Sequence, residues 1–229
     1  MRIVLKFPRD RIIWATILRR PNRFLGIAKI GDSQQLIHIH DPGRIPLLKP
    51  GTRILILNVE HPKRKTKYDL LTFKWRDEWI FSHSGYHSKI FEKTVRFLNG
   101  FQGHIRREVK LGKSRIDFSF RDIFVEVKGC TWIVDNFCCF PDAPTSRGRR
   151  HLLELAEYAS HRNKAYIVFL AFSKYANKVR IARSVDPEFY EAAIKARNMG
   201  VRFLGLKYKF EEAKLIHIGS IPVDLENPC

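Results

Sequence analysis

Two acids and a lysine within fourteen residues, Arg115-Ile-Asp-Phe-Ser-Phe-Arg-Asp-Ile-Phe-Val-Glu-Val-Lys128, are the side chains of this sequence best suited to chemistry. If Arg121-Asp122 makes a two-residue turn, strand alternation sends Arg115, Asp117, Glu126 and Lys128 to one face of a hairpin. Asp117 then stands opposite Glu126, and Lys128 opposite Arg115. The other face is Ile116, Phe118, Phe120, Ile123, Val125 and Val127, all apolar. A one-residue slip would drive Asp117, Glu126 and Lys128 into the core, so the register is strongly specified. Carboxylates directly opposite each other repel. A divalent cation removes that penalty, and hard oxygen donors suit Mg²⁺ or Mn²⁺. Such a metal polarises a phosphoryl oxygen and lowers the pKa of an attacking water. Lys128 would orient the water and offset charge on the pentavalent phosphate. The plainer alternative is a set of salt bridges on an exposed face, Asp117 with Arg115 and Glu126 with Lys128.

Other residues could bring a phosphodiester to that face. In Phe140-Pro-Asp-Ala-Pro-Thr-Ser-Arg-Gly-Arg-Arg-His-Leu152, Thr145 or Ser146 is suited to cap a helix. Arg147, Arg149 and Arg150 would sit where the helix N-terminus already attracts phosphate. Arg147 and His151, four apart, share a face on which both would meet the phosphates. Asp142 as a metal ligand and His151 as a proton shuttle would complete the acidic site; a surface histidine is the alternative for His151. Arg20 and Arg23 form one basic cluster for phosphate, Arg115 is a further phosphate-binding cation, and Lys63, Arg64 and Lys65 read as a loop that clamps nucleic-acid backbone. Asp41-Pro-Gly-Arg44 is a turn whose Arg44 reaches phosphate only if it faces the same cleft.

The elements that must position these residues divide near 82–87. Before that point, short runs rich in β-branched and aromatic residues lie at 3–7, 12–18, 24–30, 36–39, 53–59, 68–73 and 79–81, with Pro, Gly and Asn turn signals between them. This spacing predicts a small barrel over residues 1–84. Beyond it the pattern predicts a helix at 89–98, the hairpin, a loop from Cys130 to Gly148, a helix through His151–Ala159, a strand at 165–172, a helix at 187–198 ending at Gly200, and a strand at 201–206. Helices interleaved with strands make residues 85–229 an α/β or α+β domain.

The chain has 229 residues and a formal net charge of +19. Residues 1–83 carry 17 Lys plus Arg against 7 Asp plus Glu, a net of +10, and the remainder 25 against 16, a net of +9. Both halves therefore favour a polyanion such as nucleic acid. Trp14, Phe24, Tyr68, Trp75 and Trp79 are interleaved with the basic runs, and one or two of them are expected to stack on exposed bases. A hydrophobic fraction of 45% excludes general disorder. The longest apolar run, Ala165–Phe172, is far short of the roughly 18 residues a membrane span needs. The N-terminus lacks a signal-peptide core, so a cytoplasmic protein is expected. Cys130, Cys138, Cys139 and Cys229 show neither Cys-x-x-Cys spacing nor a matching His pair, which argues against zinc and for buried or free thiols. The pattern is compatible with a homodimer.

Several blocks resemble the sugar fermentation stimulation (SfsA) family: Arg20-Pro-Asn-Arg-Phe24, Asp41-Pro-Gly-Arg44, residues 58–65, Gly112-Lys-Ser-Arg-Ile-Asp-Phe118, Val125-Glu-Val-Lys128 and above all Phe140–Leu152. The resemblance runs almost end to end. It implies an N-terminal OB-like barrel followed by a restriction-endonuclease-like domain of the PD-(D/E)XK type, with DNA binding. It maps the nuclease pattern onto Asp117, Glu126 and Lys128, and Glu92 onto an additional acid. Ile116 stands where that pattern has proline. A basic, largely sequence-nonspecific DNA-binding protein with a metal-dependent nuclease site is therefore expected. The alternatives are a non-catalytic regulator of sugar metabolism genes and an RNA-binding protein.

Overall fold

Alternating apolar residues shape the first half of the chain. In a computed structural model of the protein, which describes residues 1–59 and 64–229, the strands are β1 (Arg2–Lys6), β2 (Ile12–Asn22), β3 (Leu25–Ile30), β4 (Ser33–His38), β5 (Arg53–Asn58), β6 (Tyr68–Trp75) and β7 (Glu78–Phe81). β2 pairs with β3 and β5, β3 with β4, and β5 with β6, all antiparallel. A short parallel contact of β4 with β6, Ile37 to Tyr68 and His38 to Asp69, closes five strands into a barrel. Closure leaves no open edge on those strands. Ile17, Ala28, Ile37, Ile54, Ile56, Leu70 and Phe73 fill the interior.

The N-terminal strand departs from expectation. β1 falls within the 1–84 stretch assigned to the barrel, yet it pairs antiparallel with a strand near the C-terminus. Its partner lies some two hundred residues away, and period-two alternation carries no information about pairing at that range.

The second half comprises α1 (His87–Val95), β8 (Ile105–Leu111), β9 (Ser114–Phe120), β10 (Ile123–Cys130), β11 (Trp132–Val134), β12 (Phe137–Phe140), α2 (Ser146–Ser160), β13 (Lys164–Ala171), β14 (Lys178–Ile181), α3 (Pro187–Asn198), β15 (Arg202–Glu211), β16 (Lys214–Ile221) and β17 (Val223–Asp224). β10, β13 and β15 run parallel at the centre, while β9 and then β8 extend one side antiparallel. β16 pairs with β15 and β1. β7 pairs with β6 and touches β15 at Phe210, so one sheet continues from barrel to second domain. The architecture is mixed α+β, an OB-type barrel followed by the second domain.

The helices follow their caps. Thr145 Oγ1 accepts from Gly148 N at 3.0 Å and starts α2. Asp186 accepts from Phe189 N at 2.9 Å, and Pro187 occupies the first turn of α3, where its missing N–H is harmless. The 130–148 segment is not the loop its composition suggested. Trp132–Val134 and Phe137–Phe140 form a hairpin that joins β14 and β17 in a four-stranded second sheet. The cysteines are not free thiols either, because Cys130 is joined to Cys138 and Cys139 to Cys229. Cys138 and Cys139 are adjacent and point to opposite faces of β12, a consequence of alternation that gave no spacing motif. Among the described residues no helix is long and apolar enough to cross a membrane.

Candidate metal and nucleic-acid site

The hairpin turns at Arg121-Asp122, with Arg121 at φ +53°, and β9 and β10 pair as Phe120 to Ile123, Ser119 to Phe124 and Phe118 to Val125. The next pair in this register would be Asp117 with Glu126, and there the ladder opens. Asp117 Oδ2 accepts from Val127 N at 2.7 Å, so a carboxylate takes the place of the strand carbonyl. The apolar face is buried as expected, Ile116, Phe118 and Val125 completely. On the acidic face Glu126 is buried, 3% exposed under α2, while Asp117 and Lys128 are half-buried and Arg115 is exposed. Of the two salt bridges in the plainer alternative, Glu126 with Lys128 forms at 2.6 Å, whereas Asp117 is engaged by the Val127 N–H.

Two groups converge on Glu126, and a third stands behind one of them. Lys128 Nζ donates to Oε1 at 2.6 Å, and His151 Nδ1 donates to the same oxygen at 2.6 Å. Arg147 Nε donates to His151 Nε2 at 3.4 Å, which fixes the tautomer with the proton on Nδ1. His151, one turn beyond Arg147 on α2, is buried, so it serves Glu126 and not the phosphate backbone expected for it. Burial pushes the Glu126 carboxyl up, but Lys128 and His151 outweigh it and hold the group below its ordinary range. Asp117 goes the other way: burial and the Glu126 charge push it up to about 6. Glu126 Oε2 is buried and has no hydrogen-bond partner. A buried carboxylate oxygen left unpaired costs about 1–3 kcal/mol, and a cation shared with Asp117 would satisfy it. The donor set, two carboxylates beside an ammonium, suits a hard ion.

The two further acids expected at the metal are engaged elsewhere. Glu92 on α1 pairs with Arg107 on β8. Asp142 Oδ2 accepts from Ile45 N at 2.7 Å, and the carboxylate lies against Asp41 from the barrel. Asp41 in turn accepts from Gly43 N at 3.1 Å and from Thr131 Oγ1 at 3.5 Å. Asp142 fills the space where a Gly43 side chain would project, which accounts for glycine there.

Between barrel and second domain runs a cleft of about 350 Å³ lined by Arg23, Asp41, His87, Lys128, Thr131 and Asp142. His87 was not foreseen. Burial, His83 and Lys128 together depress its imidazole to about 3, so it faces Lys128 as a neutral base. Gly129 permits that approach, since a Cβ at this position would collide with the imidazole. A histidine at a helix start and a glycine after Lys128 carry no spacing signal that links them.

The expected phosphate-binding residues separate into two groups. Arg23, Arg44, Lys65, Arg115, Arg147 and Arg150 are exposed. Arg20 is a correction: its half-buried guanidinium donates to the carbonyls of Arg23 and Gly43, both at 3.2 Å, and to that of Arg44, and so braces the 41–44 turn. Arg64 pairs with Asp69, and Arg149 pairs with Glu188 on α3. In each case a carboxylate distant in sequence or hidden by the fold claims the cation. Lys63 lies outside the described residues. Of the aromatics, Trp14 is 56% and Phe24 50% exposed, whereas Tyr68, Trp75 and Trp79 are partly buried. Trp14 stands edge-on to Trp79 at 5.1 Å with Arg53 over its ring.

Comparison with known proteins agrees with the two-domain fold. The family model "Sugar fermentation stimulation protein RE domain" matches residues 85–214, and "SfsA N-terminal OB domain" matches 18–81. A sugar fermentation stimulation protein homolog of Methanococcoides burtonii is 38% identical over 98% of this chain and 96% of its own. One from Thermotoga maritima is 41% identical over 92% and 93%. The structure of Pyrococcus furiosus SfsA in complex with Ca²⁺ superposes with a TM-score of 0.90 at 27% identity, covering 98% of this chain and all of that one.

Proposed function

The chain belongs to the sugar fermentation stimulation protein family, and on that premise we propose that it binds DNA largely without regard to sequence and carries a Mg²⁺- or Mn²⁺-dependent phosphodiesterase site on Asp117, Glu126 and Lys128. The observation that carries this reading is the unpartnered Glu126 Oε2, buried beside Asp117 with an ammonium and an imidazole fixed on the other oxygen. The P. furiosus relative was captured with Ca²⁺, another oxygen-seeking ion. A bound metal would supply Lewis acidity and an activated water. His151 keeps Glu126 ionised and oriented, and Lys128 is placed to neutralise developing charge at the cleft wall. Arg23, Arg44, Arg115, Arg147 and Arg150, with Lys65, would track the phosphates, and Phe24 or Trp14 would stack on bases. A cytoplasmic location goes with that partner.

A binding-only protein is the second reading, and one observation favours it: the Lys128 ammonium is already paired with Glu126. Linear and single-stranded DNA incubated with Mg²⁺ or Mn²⁺ decides between them. Cleavage that Asp117→Ala or Glu126→Ala abolishes supports the enzyme, while cleavage indifferent to both changes defeats it. Retained, salt-sensitive binding without cleavage leaves the second reading, and a preference for structured RNA in competition would reassign the partner.

A further inference from the structure

A second cluster of ligand atoms lies at the seam between the two domains, away from the carboxylate pair. His40 follows β4, Asp69 is the second residue of β6, and His83 lies just after β7 on the connection to α1. The two imidazoles stack at 3.8 Å with an interplanar angle of 18°. Their Nε2 atoms reach the same carboxylate oxygen, Asp69 Oδ2, at 3.0 Å from His40 and 3.6 Å from His83. Neither approach is a satisfactory hydrogen bond. His40 Nε2 is buried without a hydrogen-bond partner despite its proximity, and the His83 distance is too long. The three ligand atoms lie within 4.8 Å of one another.

We propose that His40 Nε2, His83 Nε2 and Asp69 form a binding site for a transition-metal ion of the Zn²⁺ or Co²⁺ class, joining the barrel to the connection into the second domain. Bonds of about 2.0–2.1 Å in a tetrahedron place ligand atoms roughly 3.4 Å apart, and the two measured separations bracket that value. Two imidazoles with one carboxylate select such an ion over Mg²⁺ or Ca²⁺, which prefer oxygen. His83 and Asp69 are 5% and 3% exposed, so two ligands are held by burial and His40 by its stack on His83 before the ion arrives, and the fourth position is left for water. Gly85 allows the connection to close over both rings: a Cβ there would come within 3.3 Å of His83 Nδ1.

The site has a built-in competitor. Arg64 donates to both Asp69 oxygens, to Oδ2 at 3.1 Å. A metal must take Oδ2 from Arg64, whose side chain is 30% exposed and can turn outward. Metal binding would therefore release a cation within the basic 63–67 run.

The test is a Co²⁺ titration of the full chain, stripped with a chelator and held in excess Mg²⁺ to occupy oxygen sites. We expect one Co²⁺ per chain with the intense visible absorption of four-coordinate cobalt, displaced by Zn²⁺. His40→Gln and His83→Gln should each weaken it about tenfold or more, Arg64→Ala should tighten it, and Asp117→Asn should leave it unchanged. His40 is the more exposed of the two histidines, so His40→Gln remains informative if His83→Gln does not fold. Absence of the four-coordinate signal in the parent, a signal indifferent to His40→Gln in folded protein, or its loss in Asp117→Asn would overturn the proposal.

Discussion

Two pairs of carboxylates among the described residues meet in largely desolvated places, Asp117 with Glu126 under α2 and Asp41 with Asp142 where the barrel meets the second domain. Both show the same electrostatic signature: Asp117 and Asp41 are each pushed up to about 6, first by burial and then by the neighbouring acid. What differs is the fate of the oxygens. In the barrel pair, Gly43 N, Ile45 N and Thr131 Oγ1 donate to the carboxylates, and Arg20 lies close by. In the hairpin pair, Glu126 Oε2 has no partner while Oε1 has two. A buried acid with a raised pKa thus marks a structural turn as readily as a reactive site. The unused lone pair is the feature that separates them.

The strongest way to break this contrast is catalytic. Glu126→Gln should reduce metal-dependent cleavage by about a thousandfold, a barrier increase of roughly 4 kcal/mol, while Asp142→Asn should change it little. Equal losses in a single-turnover assay would erase the distinction.

The next effect is on stability against pH. Asp41 binds its proton more tightly folded than unfolded, so the native state gains stability as pH falls from about 6 towards 3.8 and loses it as pH rises through 6. The contribution is at most about 3 kcal/mol. Denaturant midpoints at several pH values, compared between the parent and Asp41→Asn, should show this component in the parent alone; parallel curves would mean that Asp41 titrates normally.

Asp142→Ala strands the Ile45 N–H and should lower unfolding free energy by about 1–3 kcal/mol. The metal sharpens the comparison here, because Mn²⁺ should raise the melting temperature of the parent and of Asp142→Ala, but not of Glu126→Gln. Stabilisation of all three would place the ion elsewhere.

The smallest effects concern the arginines. Arg23→Ala should weaken DNA binding and reduce the salt slope by about 0.9, one phosphate contact on duplex DNA. Arg149→Ala, whose cation is held by Glu188, should leave that slope unchanged. A reversed order in fluorescence anisotropy titrations would show that the phosphates follow the α3 side of α2.

Much of this site was legible in the sequence because the signals are local. The Arg121-Asp122 turn and strict alternation are enough to bring Asp117 opposite Glu126 and to commit Ile116, Phe118 and Val125 to the core. Pro187 after Asp186 started α3 where expected, and Thr145 was one of two caps foreseen for α2. The barrel strands were readable for the same reason, as alternating runs bounded by Pro, Gly and Asn.

Other features depended on partners distant in the chain. That His151 would be buried against Glu126, that Asp142 would turn to Ile45 and Asp41, that Arg20 and Arg64 would be claimed by carbonyls and a carboxylate, and that β1 would cross to β16 are all results of packing. Hydrogen bonds and ion pairs go to whichever partner the fold presents, and no spacing rule encodes that choice. The sequence by itself determined the residue types and their faces: two acids and a lysine on one side of a hairpin, within a chain basic in both halves. The tertiary structure decided which charges remain unspent, because burial under α2 removes water from Glu126 and leaves one of its oxygens with nothing to bind.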